Sequence, residues 1–252
     1  MSALLYLPAL LMCLNFRFGL IKTLASLVFL VAAQFVIGLE WILYKPEAYF
    51  GKAFEFDRVF FFKWSVNWQF WGERYAMSKE LARNLLIAHL TLLVLFLLFR
   101  WTTSIRQGVG AWLREIRLHE VGLATKVCDL DPRYVALSMF TCNLIGILCA
   151  RSLHYQFYSW YYQTLPLILL YIKKVPLLFK YDLLALISYR VLLLIAIELC
   201  WNVYPPQAGM SSLLFGCHVT LVLLCMYLVH YPETPYRPKL VVVHKKPYTK
   251  IQ

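Results

Sequence analysis

Apolar residues in this chain come in long runs separated by short polar clusters, and that spacing predicts its elements. A helix that crosses a bilayer needs about 20 mostly apolar residues. Residues 20–43 meet that length, with Lys22 near one end and Gln34 inside. Residues 85–99 form a shorter run that Leu81 can extend, and runs at 135–150, 181–199 and 213–229 follow. The run 165–172 is too short to cross unless it borrows the aromatic stretch 154–162 before it. The first run, 3–14, reads as the tail end of a span, and with no basic residues ahead of it a cleaved signal peptide is not expected. The pattern predicts an all-α polytopic membrane protein with about six to seven transmembrane helices.

Composition sharpens this. Of 252 residues, 61% are hydrophobic and 15% charged, against roughly 45–50% and 25% in soluble domains. A water-soluble fold of this length cannot hide that much apolar surface. The net charge of +12 is the sort of excess that nucleic-acid binders carry, but basic residues also gather in the cytoplasmic loops of membrane proteins. With the tail after Val229 cytoplasmic, segments 15–22, 100–134, 173–180 and the tail hold 16 of the 25 Lys and Arg residues. Segments 44–84, 151–164 and 200–212 hold 8, and Arg190 lies inside a span. The bias places these latter segments on the lumenal side, with the lipid bilayer rather than nucleic acid as the partner. The expected organisation is a multi-pass transmembrane region over 1–231, with a lumenal loop at 44–84 and a cytoplasmic loop at 100–134. Residues 232–252 form a basic cytoplasmic tail.

The seven cysteines show no CxxC or Cys/His ligand spacing, and most sit in apolar runs as small hydrophobes. Nothing in the pattern calls for a metal or another cofactor. Segment 44–84 is dense in aromatics, among them Phe60, Phe61, Phe62, Trp64, Trp68, Phe70 and Trp71. Such rings suit a membrane–water interface. Beside Asn, Arg and Gln they also suit sugars, whose apolar faces stack on rings while their hydroxyls take hydrogen bonds. Composition leaves both readings open.

Three strings are less generic. One is Phe62-Lys63-Trp64-Ser65-Val66-Asn67-Trp68-Gln69-Phe70. Another is Asn143-Leu144-Ile145-Gly146 followed by Arg151-Ser152-Leu153-His154-Tyr155-Gln156-Phe157-Tyr158-Ser159-Trp160-Tyr161. The last is Glu198-Leu199-Cys200-Trp201-Asn202-Val203-Tyr204-Pro205. In this order, and with Leu4-Leu5-Tyr6-Leu7-Pro8-Ala9 ahead of them, they resemble the C-terminal half of the endoplasmic-reticulum mannosyltransferases that extend Man5GlcNAc2-pyrophosphoryl-dolichol. Lys63, Ser65, Gln69 and Gln163 depart from the residues usual there. The resemblance implies a dolichol-dependent GT-C-type glycosyltransferase of the endoplasmic-reticulum membrane, active on its lumenal side. It implies transfer of mannose from dolichyl-phosphate mannose in α-1,3 linkage to the dolichyl-pyrophosphate oligosaccharide, a step of N-glycan precursor assembly.

That reaction inverts a β-linked mannosyl phosphate to an α-glycoside. It needs a carboxylate to take the proton of the acceptor hydroxyl, and positive charge or hydrogen bonds on the leaving phosphate. Glu47, Glu55, Asp57, Glu73 and Glu80 are the carboxylates of the lumenal loop, and Asp57, beside Arg58 among aromatics, is the candidate base. In the resembling family the acidic residue expected as base belongs to the N-terminal half, which these residues do not supply. Arg151, at the end of a span, suits the leaving phosphate or anchors a helix end by snorkelling. His154, three residues on, would share a helical face with Arg151 and could donate to a phosphate or sugar oxygen. Tyr155, Gln156, Asn67 and Trp68 complete the candidate donor-phosphate and sugar contacts. Asp182, Arg190 and Glu198 fall in or at the ends of one span, where charges are usually paired, and Glu198 could meet Asn67 or Arg151. An inactive shortened form that binds lipid or a partner subunit is the competing reading. A transporter would show internal repeats, which this chain lacks.

Overall fold

The computed structural model describes residues 2–53, 61–103, 110, 130–172 and 183–232. Asp57, Glu55, Asp182, most of the loop between 104 and 129, and the tail beyond 232 lie outside the described residues.

Helix α1 (Ser2–Phe18) is followed by α2 (Leu20–Ile37). The run 20–43 is not one straight span. It is interrupted at Gly38, after which α3 (Leu39–Tyr44) and α4 (Pro46–Ala53) follow. Tyr49 of α4 sits over this joint, so close that a Cβ at Gly38 would lie 2.5 Å from its hydroxyl. Pro46 ends α3, because the residue before a proline is held out of the helical region, and Lys45 has φ −147° and ψ 76°. Only Thr23 of α2 is buried, while Val28, Phe29, Val36 and Ile37 are exposed. An apolar helix with a bare surface belongs in hydrocarbon rather than water.

After the short α5 (Gly72–Ala76) comes α6 (Lys79–Phe96). Ser78 caps it, its Oγ accepting the Leu81 N–H at 3.1 Å, so the helix starts before its apolar run does. Its last turn widens over Leu97–Trp101, where the Thr102 N–H reaches back to the Leu97 carbonyl (3.2 Å) and Trp101 is buried.

Helix α7 (Pro132–Leu148) is the centre of the bundle, with 11 of its 17 residues buried. Asp131 caps it by accepting the Arg133 N–H at 2.7 Å, and Pro132 occupies the first turn. The Arg133 side chain, 2.7 Å away, holds the Asp131 carboxyl below its ordinary range. Helix α1 packs antiparallel along α7. Leu5 faces Gly146, Asn143 Nδ2 donates to Tyr6 Oη (3.0 Å), and Arg17 and Asp131 share a hollow at the other end.

A Cβ on Gly146 would lie 2.7 Å from Leu5 Cδ2. Gly146→Val is therefore expected to destabilise the chain by about 1–3 kcal/mol through overpacking. Leu5→Ala in the same chain should recover part of that loss in a double-mutant cycle of thermal unfolding. Strict additivity would mean the contact is not the cause.

The segment from Tyr155 to Ile172 makes a crossing of a different kind. It winds through tight turns at Tyr155–Trp160 and Tyr162–Thr164 into α8 (Leu165–Leu170). At one end Tyr155 Oη donates to the Val203 carbonyl (2.6 Å). At the other the His230 N–H donates to the Tyr171 carbonyl (2.8 Å). These partners flank the two ends of α10 (Ala208–Tyr227), so the segment runs the height of the bundle. Leu165–Leu170 alone, six residues long, would reach only about 9 Å. A tight helix rises about 2.0 Å per residue, which makes up the difference. Irregular backbone at such depth is tolerated where protein covers it, and here Tyr161, Thr164, Leu165 and Ile168 are buried.

Helix α9 (Leu183–Asn202) precedes α10. Among the described residues four helices are long and apolar enough to cross a membrane: Leu20–Ile37, Lys79–Trp101, Leu184–Asn202 and Ala208–Tyr227. Ala3–Phe18 and Pro132–Leu148 are shorter apolar helices. Side-chain bonds fix the direction of the rest. Tyr134 Oη donates to the Trp101 carbonyl (2.8 Å), and Arg190 Nη2 donates to the Ile172 carbonyl (2.9 Å). Successive crossings therefore alternate in direction.

Candidate functional site

The three sequence strings meet at one end of the bundle. The connection at 61–71 lies against the end of α7, and the joint is a set of hydrogen bonds centred on Asn67. Its Oδ1 accepts from the Leu153 N–H (2.8 Å) and from Ser65 Oγ (2.7 Å), and its Nδ2 donates to the Ala150 carbonyl (2.8 Å). Trp68 Nε1 donates to the same carbonyl (2.9 Å). The Val66 N–H donates to the Leu153 carbonyl (2.7 Å), and Ser152 Oγ to Ser65 Oγ (3.0 Å). Gln69 Nε2 ties the turn together by donating to the Phe62 and Ser65 carbonyls (2.9 and 2.7 Å). Trp68 holds this position with a left-handed backbone, φ 64°, which costs a non-glycine residue on the order of 1 kcal/mol. Its indole bond and its stacking on Trp71 (5.2 Å between centroids, 10° between planes) offset that strain.

Arg151 emerges from this joint half-buried. It lines a small hollow with Phe61, Ser65, Asn67 and Ser152. Among the described residues it makes no hydrogen bond or ion pair. A half-covered guanidinium is suited to an anion such as a phosphate, while the Ser65 and Ser152 hydroxyls beside it already donate to Asn67 and Ser65. His154 does not share a helical face with Arg151, as the three-residue spacing predicted. The chain is extended here (His154 φ −88°, ψ 158°) because the backbone of Leu153 is bonded to Val66 and Asn67. The imidazole Nδ1 donates to the Trp64 carbonyl (3.1 Å), and Nε2 lies 3.5 Å from Ser152 Oγ.

Beyond His154 the surface is aromatic. The Tyr155 hydroxyl donates to the Val203 carbonyl, and its ring meets Tyr204. Gln156 is exposed at the rim. Glu198 meets neither Asn67 nor Arg151. Tyr158 Oη donates to its carboxylate, and so does Asn202 Nδ2 (2.9 Å). Arg190 and Glu198, eight positions apart on α9, are bound to different parts of the 155–172 crossing.

Asn67 and Trp68 are buried with their polar atoms bonded inside the protein. They line the hollow together with Arg151, whereas His154, Tyr155 and Gln156 are not part of its lining, and His154 approaches it only through Ser152. Asp57 lies outside the described residues.

Two features escaped the sequence. Trp64 and Tyr204, from separate strings, stack at 5.8 Å with 21° between planes, and nothing in either string signals that pairing. Deeper in the bundle, the Tyr161 hydroxyl accepts from Trp201 Nε1 (2.8 Å) and shares a hydrogen bond with His218 Nε2 (2.6 Å). All three residues are buried. Tyr161→Phe would leave two buried partners unsatisfied, and is expected to destabilise the chain by about 2 kcal/mol, read as a lower unfolding midpoint in detergent. An unchanged midpoint would mean the triad contributes no net stability.

Fold and site together define a polytopic all-α membrane protein whose polar signatures collect at one end of its bundle. Residues 1–212 match the family described as ALG3 protein, and the chain belongs to that family. The human protein named Dol-P-Man:Man(5)GlcNAc(2)-PP-Dol alpha-1,3-mannosyltransferase is 38% identical over 223 residues, 88% of this chain and 48% of its own length. The Arabidopsis thaliana protein of the same name is 36% identical over 257 residues, 98% of this chain and 55% of its own. The Kluyveromyces lactis protein is 35% identical over 233 residues, 88% and 47%. The chain spans about half the length of the curated relatives it matches. No solved structure matches it.

Proposed function

We propose that this chain takes part in the transfer of mannose from dolichyl-phosphate mannose to Man5GlcNAc2-pyrophosphoryl-dolichol, forming an α-1,3 linkage. The site end of the bundle then faces the endoplasmic-reticulum lumen and the C-terminus the cytoplasm, the orientation favoured by the loop charges. Relatives bearing the name of this activity support the reading. The observation that carries it is Arg151, half-buried and unpaired among the described residues, in a small hollow at the end of the bundle where Ser65, Asn67 and Ser152 stand among apolar side chains.

In this reaction the bond between the mannosyl anomeric carbon and the phosphate oxygen breaks, and the acceptor 3-hydroxyl attacks the opposite face. The hydroxyl proton passes to a carboxylate, and dolichyl phosphate leaves with the bonding electron pair. Arg151 stabilises the charge that develops on the leaving phosphate. His154 donates to a phosphate or sugar oxygen, and Tyr155 and Gln156 contact sugar. Asn67 and Trp68 hold the Arg151 segment in place. Asp57 is the loop carboxylate that the sequence singles out for the proton.

The test is complementation of cells lacking this mannosyltransferase, with the lipid-linked glycan read by mass. The 252 residues are expressed alone and, in parallel, with any coding sequence upstream. Conversion of the Man5 to the Man6 species by either supports the reading. Accumulation of Man5 with both, at normal protein abundance, overturns it.

A further inference from the structure

We propose that Trp64 and Tyr204 form a stacking shelf for a pyranose ring of the acceptor glycan, next to the site that takes the donor. The inference rests on the mannosyltransfer reading above and names a subsite for its second substrate. Trp64 is 44% exposed and Tyr204 59% exposed, so neither ring is there to fill a core. Yet the two are stacked on one another, the ammonium of the flexible Lys63 side chain lies over the Trp64 ring 5.8 Å from its centroid, and the backbone around both rings is held by hydrogen bonds. His154 Nδ1 donates to the carbonyl of Trp64, and Tyr155 Oη to that of Val203, the residue before Tyr204. The ring of Tyr155 also meets Tyr204 edge-on (5.9 Å, 62°).

Rings that only anchor a protein at a membrane interface need no such bracing. A carbohydrate platform does, because a pyranose offers a flat apolar face and gains most from a ring already in place. Two exposed amides lie close by in sequence: Gln156 follows Tyr155, and Asn202, whose Nδ2 already donates to Glu198, stands two positions before Tyr204. Through His154, Ser152 and Ser65 the shelf connects to the hollow that holds Arg151. A glycan lying on the shelf would therefore lead into the donor site.

The experiment uses the purified chain in detergent and the free glycan Man5GlcNAc2, released from its lipid, as the probe in saturation-transfer NMR and calorimetry. Trp64→Ala and Tyr204→Ala are each expected to weaken binding about tenfold, the scale of one aromatic stacking contact. Tyr204→Phe keeps the ring and should bind like the parent chain. Unaltered circular dichroism in the alanine variants shows that the fold persists. Equal binding by all variants overturns the shelf, and so does no binding of the glycan by the parent chain. If the alanine variants lose only their partition into vesicles, the rings are membrane anchors and the proposal fails. Glycan binding that depends on the shelf, where neither the 252 residues nor the form extended upstream complements, would retain the shelf and refute the transfer reading.

Discussion

Arg151→Ala is expected to lower mannosyl transfer by about 10²- to 10³-fold, the scale on which removing one charge-stabilising donor usually acts. In the proposed role the loss should fall on kcat, because the guanidinium would matter most when the phosphate departs. Protein abundance and unfolding midpoint should hardly move, since Arg151 bonds to no other described residue. Arg151→Lys keeps a positive charge but not the planar fork, so it should recover only part of the rate. Transfer from dolichyl-phosphate mannose, measured in membranes with matched protein levels, decides this. Full activity in the alanine variant would reduce Arg151 to a helix-end anchor.

Asn67→Ala is expected to have the opposite signature. Its side chain satisfies a buried backbone N–H at Leu153, a carbonyl at Ala150 and the Ser65 hydroxyl. Removing it leaves donors without partners in a water-poor joint, a loss on the order of 3 kcal/mol. The unfolding midpoint should fall, and activity with it, because the 61–71 connection would no longer be held to α7. Asn67→Asp offers no relief, since it sets a carboxylate oxygen against the Ala150 carbonyl. An alanine variant that melts with the parent chain would show that water or backbone shifts satisfy the joint instead.

Much of the architecture was legible because its signals are local. Hydrocarbon demands long apolar runs, and these run through α2, α6, α7, α9 and α10. The early start of α6 has a written cause in Ser78, and the stop at α3 has one in Pro46. The exposed faces of α2 follow from an apolar run interrupted only by Lys22, Thr23, Ser26 and Gln34. What escaped was set by tertiary contacts. A three-residue spacing between Arg151 and His154 suggests a helix, but bonds to Val66 and Asn67 pull that stretch straight. The aromatic stretch before α8 had to contribute to a crossing, yet nothing in the string said that it would do so as tight turns. Asn67 and Trp68 were legible as polar and aromatic residues near a site. Only the structure shows their polar atoms turned toward the Ala150 carbonyl. The stack of Trp64 on Tyr204 joins residues 140 positions apart, a distance no local pattern can bridge.

The doubly bonded Ala150 carbonyl has an electrostatic consequence. The C-terminal end of a helix carries a partial negative charge on its unmatched carbonyls. Ala150 stands two positions past the last residue of α7, so its carbonyl belongs to the turn that follows the helix end, within reach of the arginine next to it. Here Asn67 and Trp68 already occupy both lone pairs of that carbonyl. The loop thus satisfies that carbonyl in place of the arginine, and the Arg151 guanidinium is left without a hydrogen-bond partner among the described residues.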